Sequence, residues 1–414
     1  MNERSGQETR RAALAVVDAV LRRGETAAAA LGRQSLPRPD DRALAQAIAG
    51  ECFRWLGDLD RLIDSATRQR LPDDAKARSV LRIMLAQALR LGTPPHAVIA
   101  TGLPLLTGGP RRLAHGVFST LMRKEARLPD APTLPPEVAT RWGERATAIA
   151  AAFAEPPPLD LTLKDPAETE ARAAELEAET LAPGLLRLPR GRRVEDLPGF
   201  AEGDWWVQDF AAAQPARLLG AGEGRRVLDL CAAPGGKTLQ LTAAGWRVTA
   251  LDMSAARLAR LSENLTRTGL TAEIVTADAL EWQPDASFDA ILLDAPCSAT
   301  GTCRRHPEVL HRIGPRQIAE MAELQRRLLK RAAGWLAPGG RLVYAVCSLE
   351  RAEGEDQTPY AMDRLGLTPD PIRADELPPA LTPTAEGWLR TDPATPPGMD
   401  GFFVARFSKP LEPV

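Results

Sequence analysis

Five short apolar runs recur between residues 227 and 346, and stretches of helical periodicity alternate with them. The runs are Val227–Leu230, Arg247–Leu251, Glu273–Thr276, Phe288–Leu293 and Arg341–Val346. Helical stretches start at Lys237, at Ser254 (to Thr268) and near Arg316, the last reaching Leu336. Strands alternating with helices predict a mostly parallel, doubly wound α/β sheet. In such a sheet, ligands bind beyond the carboxyl ends of the strands. The residues at those ends are therefore the first candidates for chemistry.

The front of the chain reads differently. Residues 8–123 carry helical stripes only, such as Leu14, Val17 and Leu21, or Leu44, Ile48, Cys52 and Trp55. Val80-Leu-Arg-Ile-Met-Leu85 is apolar nearly all round, which predicts a buried central helix stopped by Pro94-Pro95. This is an independent all-α bundle whose stripes are core. Pro129 to Pro136 reads as a linker, with one more helix over Trp142 to Phe153. Strand-like Leu159–Leu163, an acidic helix over Glu168 to Thr180, and short strands at Leu185–Leu188 and Trp205–Val207 form a small α+β unit. Its loop bearing Arg187, Arg190, Arg192 and Arg193 either meets phosphates or is simply solvated. The expected domains are 1–130, 131–205 and 206–414; 414 residues exceed what one core supports.

Composition sets the surroundings. Residues 1–130 hold 21 Lys+Arg against 14 Asp+Glu, a charge of +7 within a chain of net −2. A basic front half suits a polyanion. The opposing reading is an Arg-rich habit throughout, 46 Arg against 6 Lys. Five cysteines, an odd number without metal-ligand spacing, predict neither a disulfide framework nor a metal site. No long apolar run exists and Met1-Asn-Glu-Arg-Ser5 has no leader pattern, so the expectation is a reducing cytoplasm with no membrane span.

The polar residues at the five strand ends are Asp229 with Cys231, Asp252, Asp278, Asp294 and Cys347. The turn after the first strand reads Cys231-Ala232-Ala233-Pro234-Gly235-Gly236-Lys237-Thr238. It lacks the first glycine of a phosphate loop, where Cys231 stands, and it lacks the G-x-G-x-x-G of a dinucleotide fingerprint. That leaves a nucleoside cofactor without pyrophosphate. Gly235 and Gly236 let backbone approach a ligand. Asp252, 23 residues past Asp229, is placed to accept from ribose hydroxyls, and Asp278 from an adenine amino group. S-adenosylmethionine meets all three conditions.

Cys297, in Asp294-Ala-Pro-Cys-Ser298, and Cys347, in Ala345-Val-Cys-Ser348, both follow core strands. Carbon 5 of cytosine is a poor nucleophile. A thiolate adding to carbon 6 makes it enamine-like and able to attack a methylsulfonium. The ring must then lose its carbon-5 proton and expel the sulfur. A free thiol is only about 3% ionised at pH 7, so a nearby cation such as Lys237 helps. Cys52, Cys231 and Cys303 are expected to be packing residues.

Leu228-Asp-Leu-Cys-Ala-Ala-Pro-Gly-Gly-Lys-Thr238, Leu293-Asp-Ala-Pro-Cys-Ser-Ala-Thr-Gly301, Arg304-Arg-His-Pro307, Leu342-Val-Tyr-Ala-Val-Cys-Ser348 and Asp400-Gly-Phe-Phe403 resemble the RNA 5-methylcytosine methyltransferases of the RsmB (Sun) type. Pro198-Gly-Phe200 and Val207-Gln-Asp209 match as well, and the helical front is similar to the NusB-like RNA-binding domain of that branch. The resemblance implies Cys347 as nucleophile, Cys297 as helper in proton removal and product release, and Asp294 as a bond to the cytosine ring. It implies S-adenosylmethionine held by Cys231 to Lys237 with Asp252, Arg257, Asp278 and Asp294. It also implies an RRM-like unit ahead of a Rossmann-like catalytic domain. The implied substrate is small-subunit ribosomal RNA, with no obligate protein partner. Val346 stands where the family usually has threonine, and Ala352-Glu353 where it has paired glutamates; no catalytic duty is expected of that segment. Two other readings remain open. A DNA cytosine methyltransferase would make Cys297 the nucleophile, and a non-catalytic RNA-binding assembly factor would keep only the fold.

Overall fold

The computed structural model describes residues 3–411, with side chains from Gly6 onward. Met1 and Asn2, and with them part of the leader reading, lie outside the described residues. The chain folds into two compact units. The first comprises residues 1–156 and 303–313, the second 157–302 and 314–414.

The first unit is helical. Its middle helix, Lys76–Leu89, is buried from Ala77 through Gln87, as its all-round apolar run predicts. Two arginines on that helix are buried too. Arg78 lies 3.0 Å from Asp60 and also pairs with Asp64, while Arg82 holds Asp60 at 2.8 Å. Part of the basic excess is thus internal, which corrects a reading of the whole +7 as a polyanion surface. Exposed cations remain on and after the helix Gly108–Arg123, at Arg111, Arg112, Arg123, Lys124 and Arg127.

This unit does not stop at residue 130. The proline-punctuated stretch is pinned by Thr133, whose amide donates to Asp58 at 2.9 Å, and by buried Leu134. The helix expected over 142–153 is two helices, Pro136–Trp142 and Ala146–Phe153, broken at Gly143 with φ +54°. Residues 303–313 join the same unit. His311 Nε2 is 2.7 Å from the Phe53 carbonyl, Arg54 donates to the Arg304 carbonyl at 2.9 Å, and Arg312 to that of Gly24 at 2.9 Å.

The second unit starts with an antiparallel sheet of β1 (Leu159–Leu163), β2 (Glu179–Ala182), β3 (Leu185–Leu188) and β4 (Trp205–Val207), in the order β2-β3-β1-β4. Leu161, Leu186, Leu188, Trp205 and Leu176 of the helix Thr169–Leu176 form its core. That helix is shorter than expected: Glu177 turns left-handed at φ +53° and the chain becomes β2. Arg187 is no phosphate contact. It is buried on β3, with Nε and Nη2 donating to Asp160 at 2.7 and 2.8 Å.

The larger sheet contains β5 (Arg226–Leu230), β6 (Arg247–Asp252), β7 (Glu273–Thr276), β8 (Phe288–Asp294), β9 (Leu336–Val346), β10 (Thr368–Pro369), β11 (Leu389–Arg390) and β12 (Phe403–Ser408). The order is β10-β12-β9-β8-β5-β6-β7, with β11 against β12. The five expected strands are β5 to β9, and they are mutually parallel. β12 returns antiparallel beside β9, pairing Phe403 with Val346. The strand order reverses between β5 and β8, the point at which such sheets open a ligand crevice. Local signals place the flanking helices. Ser254 caps Ala255–Thr268, and Gly269 closes it at φ +65°.

Candidate active site

The turn leaving β5 is built on two left-handed residues, Cys231 at φ +67° and Gly235 at φ +109°. A Cβ on Gly235 would also meet Leu261 Cδ1 at 2.3 Å. Glycine is needed here for backbone conformation and for packing against the next helix, which adds to the expected ligand approach. Ala232 and Ala233 are buried, and Pro234 is exposed. Burial pushes the Cys231 thiol far up, consistent with a packing residue.

Asp252 and Arg257 lock this turn to the end of β6. Asp252 accepts from the amides of Ala233 at 3.2 Å and Ser254 at 2.9 Å. Arg257 lies 3.5 Å from Asp252 and donates to the Ala233 carbonyl. Asp278, exposed after β7, accepts from Leu280 N at 2.8 Å. Each carboxylate keeps lone pairs for a ligand. Next to Asp252 stands Met253, 75% exposed.

Asp229 tests whether a cofactor with a positive group fits. It is fully buried, and its Oδ2 accepts from the Thr238 hydroxyl at 2.6 Å. Its Oδ1 has no hydrogen-bond partner among the described residues. Burial raises its pKa to about 7, against the pull of Thr238 and Lys237. A buried orphan acceptor calls for a donor. The ammonium and sulfonium of S-adenosylmethionine suit the acidic strand ends at Asp229, Asp252 and Asp294, so the residues fit that group.

The two thiols meet. Cys297 Sγ and Cys347 Sγ are 3.4 Å apart. Backbone bonds lace their loops together. Ala295 N donates to the Ala345 carbonyl at 2.9 Å and Gly301 N to that of Cys347 at 3.1 Å. Gly401 N donates to the Gly301 carbonyl at 2.8 Å, and a Cβ on Gly301 would sit 1.9 Å from the Gly401 oxygen. That approach explains the glycine at 301, and a Cβ on Gly401 of Asp400-Gly-Phe-Phe403 would in turn meet Leu349 Cδ2 at 2.4 Å.

The hydrogen bond with Cys347, then burial, raise the Cys297 pKa well above the thiol range. Lys237 Nζ donates to Asp294 Oδ2 at 2.8 Å and lies 5.3 Å from the centre of the Phe402 ring. Burial opposes the lysine charge, but Asp294, Cys347 and Asp229 outweigh it and hold the pKa above its ordinary value. Cys303 is buried and belongs to the helical unit. None of the five cysteines is in a disulfide. Among the described residues no group of three or more His, Cys, Asp or Glu is placed to hold a metal ion, and no helix is long and apolar enough to cross a membrane.

Comparison with known proteins agrees with this layout. The family model described as 16S rRNA methyltransferase RsmB/F matches residues 216–408, and the NusB family model matches residues 7–105. The ribosomal RNA small subunit methyltransferase B of Klebsiella pneumoniae subsp. pneumoniae is 35% identical over 400 residues, covering 89% of this chain and 90% of that protein. Its counterpart from Xanthomonas campestris pv. campestris is 36% identical over 392 residues, covering 87% and 89%. Among solved structures, a methyltransferase homologue protein from Pyrococcus horikoshii is 26% identical with a TM-score of 0.57, covering 66% of this chain and 93% of that one.

Proposed function

The chain belongs to the ribosomal RNA small subunit methyltransferase B family, and from that premise we propose that it methylates carbon 5 of a cytosine in 16S ribosomal RNA, using S-adenosylmethionine. The observation that carries the reading is the 3.4 Å approach of two thiols at the ligand end of a doubly wound sheet.

The cofactor would lie against Cys231 to Lys237, with Asp252, Arg257 and Asp278 on its nucleoside side and Asp294 toward the thiols. When bound, S-adenosylmethionine supplies an electrophilic methyl group on a sulfonium. Cys347 bonds to ring carbon 6, and the displaced π pair makes carbon 5 nucleophilic. The proton that Cys297 gives up neutralises the charge building on ring nitrogen 3, beside Asp294 and Lys237. Carbon 5 takes the methyl group. The Cys297 thiolate then removes the carbon-5 proton. The electron pair left behind restores the ring double bond and expels Cys347 as a thiolate, and ring nitrogen 3 loses its proton to water.

Membership of an rRNA methyltransferase family speaks against the DNA-type reading. The exposed cations Arg111, Arg112, Arg123, Lys124 and Arg127 supply a phosphate-binding face on the helical unit. Such an enzyme works in the cytoplasm, where its thiols stay reduced. The test is incubation with labelled S-adenosylmethionine and 16S RNA, then nucleoside analysis. Label in 5-methylcytosine supports the proposal; its absence, with the donor bound, overturns it.

A further inference from the structure

Glu353 lies in a segment of which no part in the chemistry is expected, yet its carboxylate joins the two thiol loops. It is wholly buried in the short turn Arg351–Glu353. Oε1 accepts from the amide of Ser298 at 2.8 Å and from Gln325 Nε2 at 3.1 Å. Oε2 accepts from the hydroxyls of Ser298 and Ser348, the latter at 2.5 Å. Ser298 follows Cys297 and Ser348 follows Cys347, so one carboxylate holds the residue next to each sulfur. The two hydroxyls are themselves 3.1 Å apart.

The rest of the network fixes Glu353 in turn. Tyr344, on β9, donates its hydroxyl to the Glu353 carbonyl at 2.6 Å. Gln325 also donates to the Pro296 carbonyl at 2.9 Å. Thr300 Oγ1 lies 3.3 Å from Ser348 Oγ and accepts from Leu349 N at 3.0 Å. All four acceptor positions of the carboxylate are filled. A buried carboxylate is costly unless fully hydrogen-bonded, and apolar packing would stabilise a turn at lower cost. What an apolar residue cannot do is bind a donor from each loop at once. The Glu353 charge also disfavours ionisation of Cys297, in keeping with a proton held there until ring nitrogen 3 takes it.

We propose that Glu353 is a positioning residue for methyl transfer, setting the separation and orientation of Cys297 and Cys347 through Ser298 and Ser348. The inference rests on the methyltransferase reading. Misplacement of reacting groups by about 1 Å is enough to slow a reaction about 100-fold. Removing the clamp should therefore lower kcat and leave donor binding alone.

The experiment compares the unaltered protein with Glu353→Gln and Ser298→Ala. Ser298→Ala loses one hydroxyl bond and keeps the amide bond to Oε1, which guards against a Glu353→Gln protein that does not fold. We expect kcat to fall about 100-fold in Glu353→Gln and about 10-fold in Ser298→Ala, with KM for S-adenosylmethionine within about twofold of the original. A second readout needs no turnover. Diamide, a thiol oxidant, joins two close thiols as a disulfide, and mass spectrometry follows the Cys297–Cys347 link. That link should form more slowly in both variants. An unchanged kcat and linking rate overturn the inference, and so does a fall in kcat matched by a rise in donor KM. If the unaltered protein transfers no methyl group, the methyltransferase reading fails, while the linking rate still decides whether Glu353 sets the thiol geometry.

Discussion

Lys237 and Asp294 form a 2.8 Å ion pair that spans from the glycine turn after β5 to the end of β8. One residue starts the cofactor turn's helix and the other opens the loop that carries Cys297. The pair thus ties the nucleoside side of the crevice to the thiol side, and its position gives the first prediction.

Lys237→Met leaves Asp294 half-buried without its cation and takes a positive charge from beside Cys347. Methyl transfer should drop about 100- to 1,000-fold in kcat, the scale seen when one preorganised electrostatic group is lost. Steady-state assays with labelled donor measure it; an enzyme within about threefold of the original would remove Lys237 from the mechanism.

The two cysteines should separate by the fate of the RNA. Cys297→Ala blocks release, so a covalent protein–RNA adduct should accumulate and survive a denaturing gel. Cys347→Ala should give neither adduct nor product. The reverse pattern would exchange the two roles.

Asp229 predicts a pH dependence of stability in the ligand-free protein. Its folded pKa is about 7, well above the unfolded carboxyl value. The folded state therefore binds the extra proton. That contribution is fully present below about pH 4 and is lost as pH rises toward 7, amounting at most to about 4 kcal/mol. Denaturant melts of Asp229→Asn should lack this slope between about pH 4 and 7; an identical slope would place the titration elsewhere.

Arg187 is held by the carboxylate of Asp160 and by the carbonyls of Pro397 and Gly398. Arg187→Met leaves the buried Asp160 carboxylate without a cation, held only by the Phe210 amide at 3.1 Å, and should cost about 3–5 kcal/mol in denaturant unfolding. A loss below about 1 kcal/mol would mean the pair is solvated.

The helical unit is best tested by point changes. Truncation at residue 130 would leave residues 131–156 and 303–313 without the helices they pack on. Alanine at Arg111, Arg112, Arg123 and Lys124 should weaken RNA binding and flatten its salt dependence by up to about 0.7–0.9 for each phosphate no longer neutralised, with donor affinity unchanged. Filter binding across a salt series checks both the affinity and the slope.

Much of the catalytic sheet was legible because strands buried on both faces are mostly apolar, as are Ala290–Leu293 of β8 and Leu342–Val346 of β9. The meeting of Cys297 and Cys347 followed from their place after neighbouring strands. β12 was not legible. Phe403-Val-Ala-Arg-Phe-Ser408 follows some thirty residues without periodicity, and its place beside β9 depends on a distant register. The pairing of Arg187 with Asp160 and the hold of Glu353 on Ser298 are also long-range. In each, a polar side chain finds its partner only after the backbone has folded, so residue type alone suggested a solvated or idle group.

The strip 303–313 has a consequence for how the protein is made. Its partners in the helical unit leave the ribosome early, but the strip itself emerges only after β8 has been synthesised. The first unit therefore cannot reach its final packing as an isolated nascent domain. For some 150 residues of translation, the surface that will receive His311 and Arg304 waits for a piece of chain that does not yet exist.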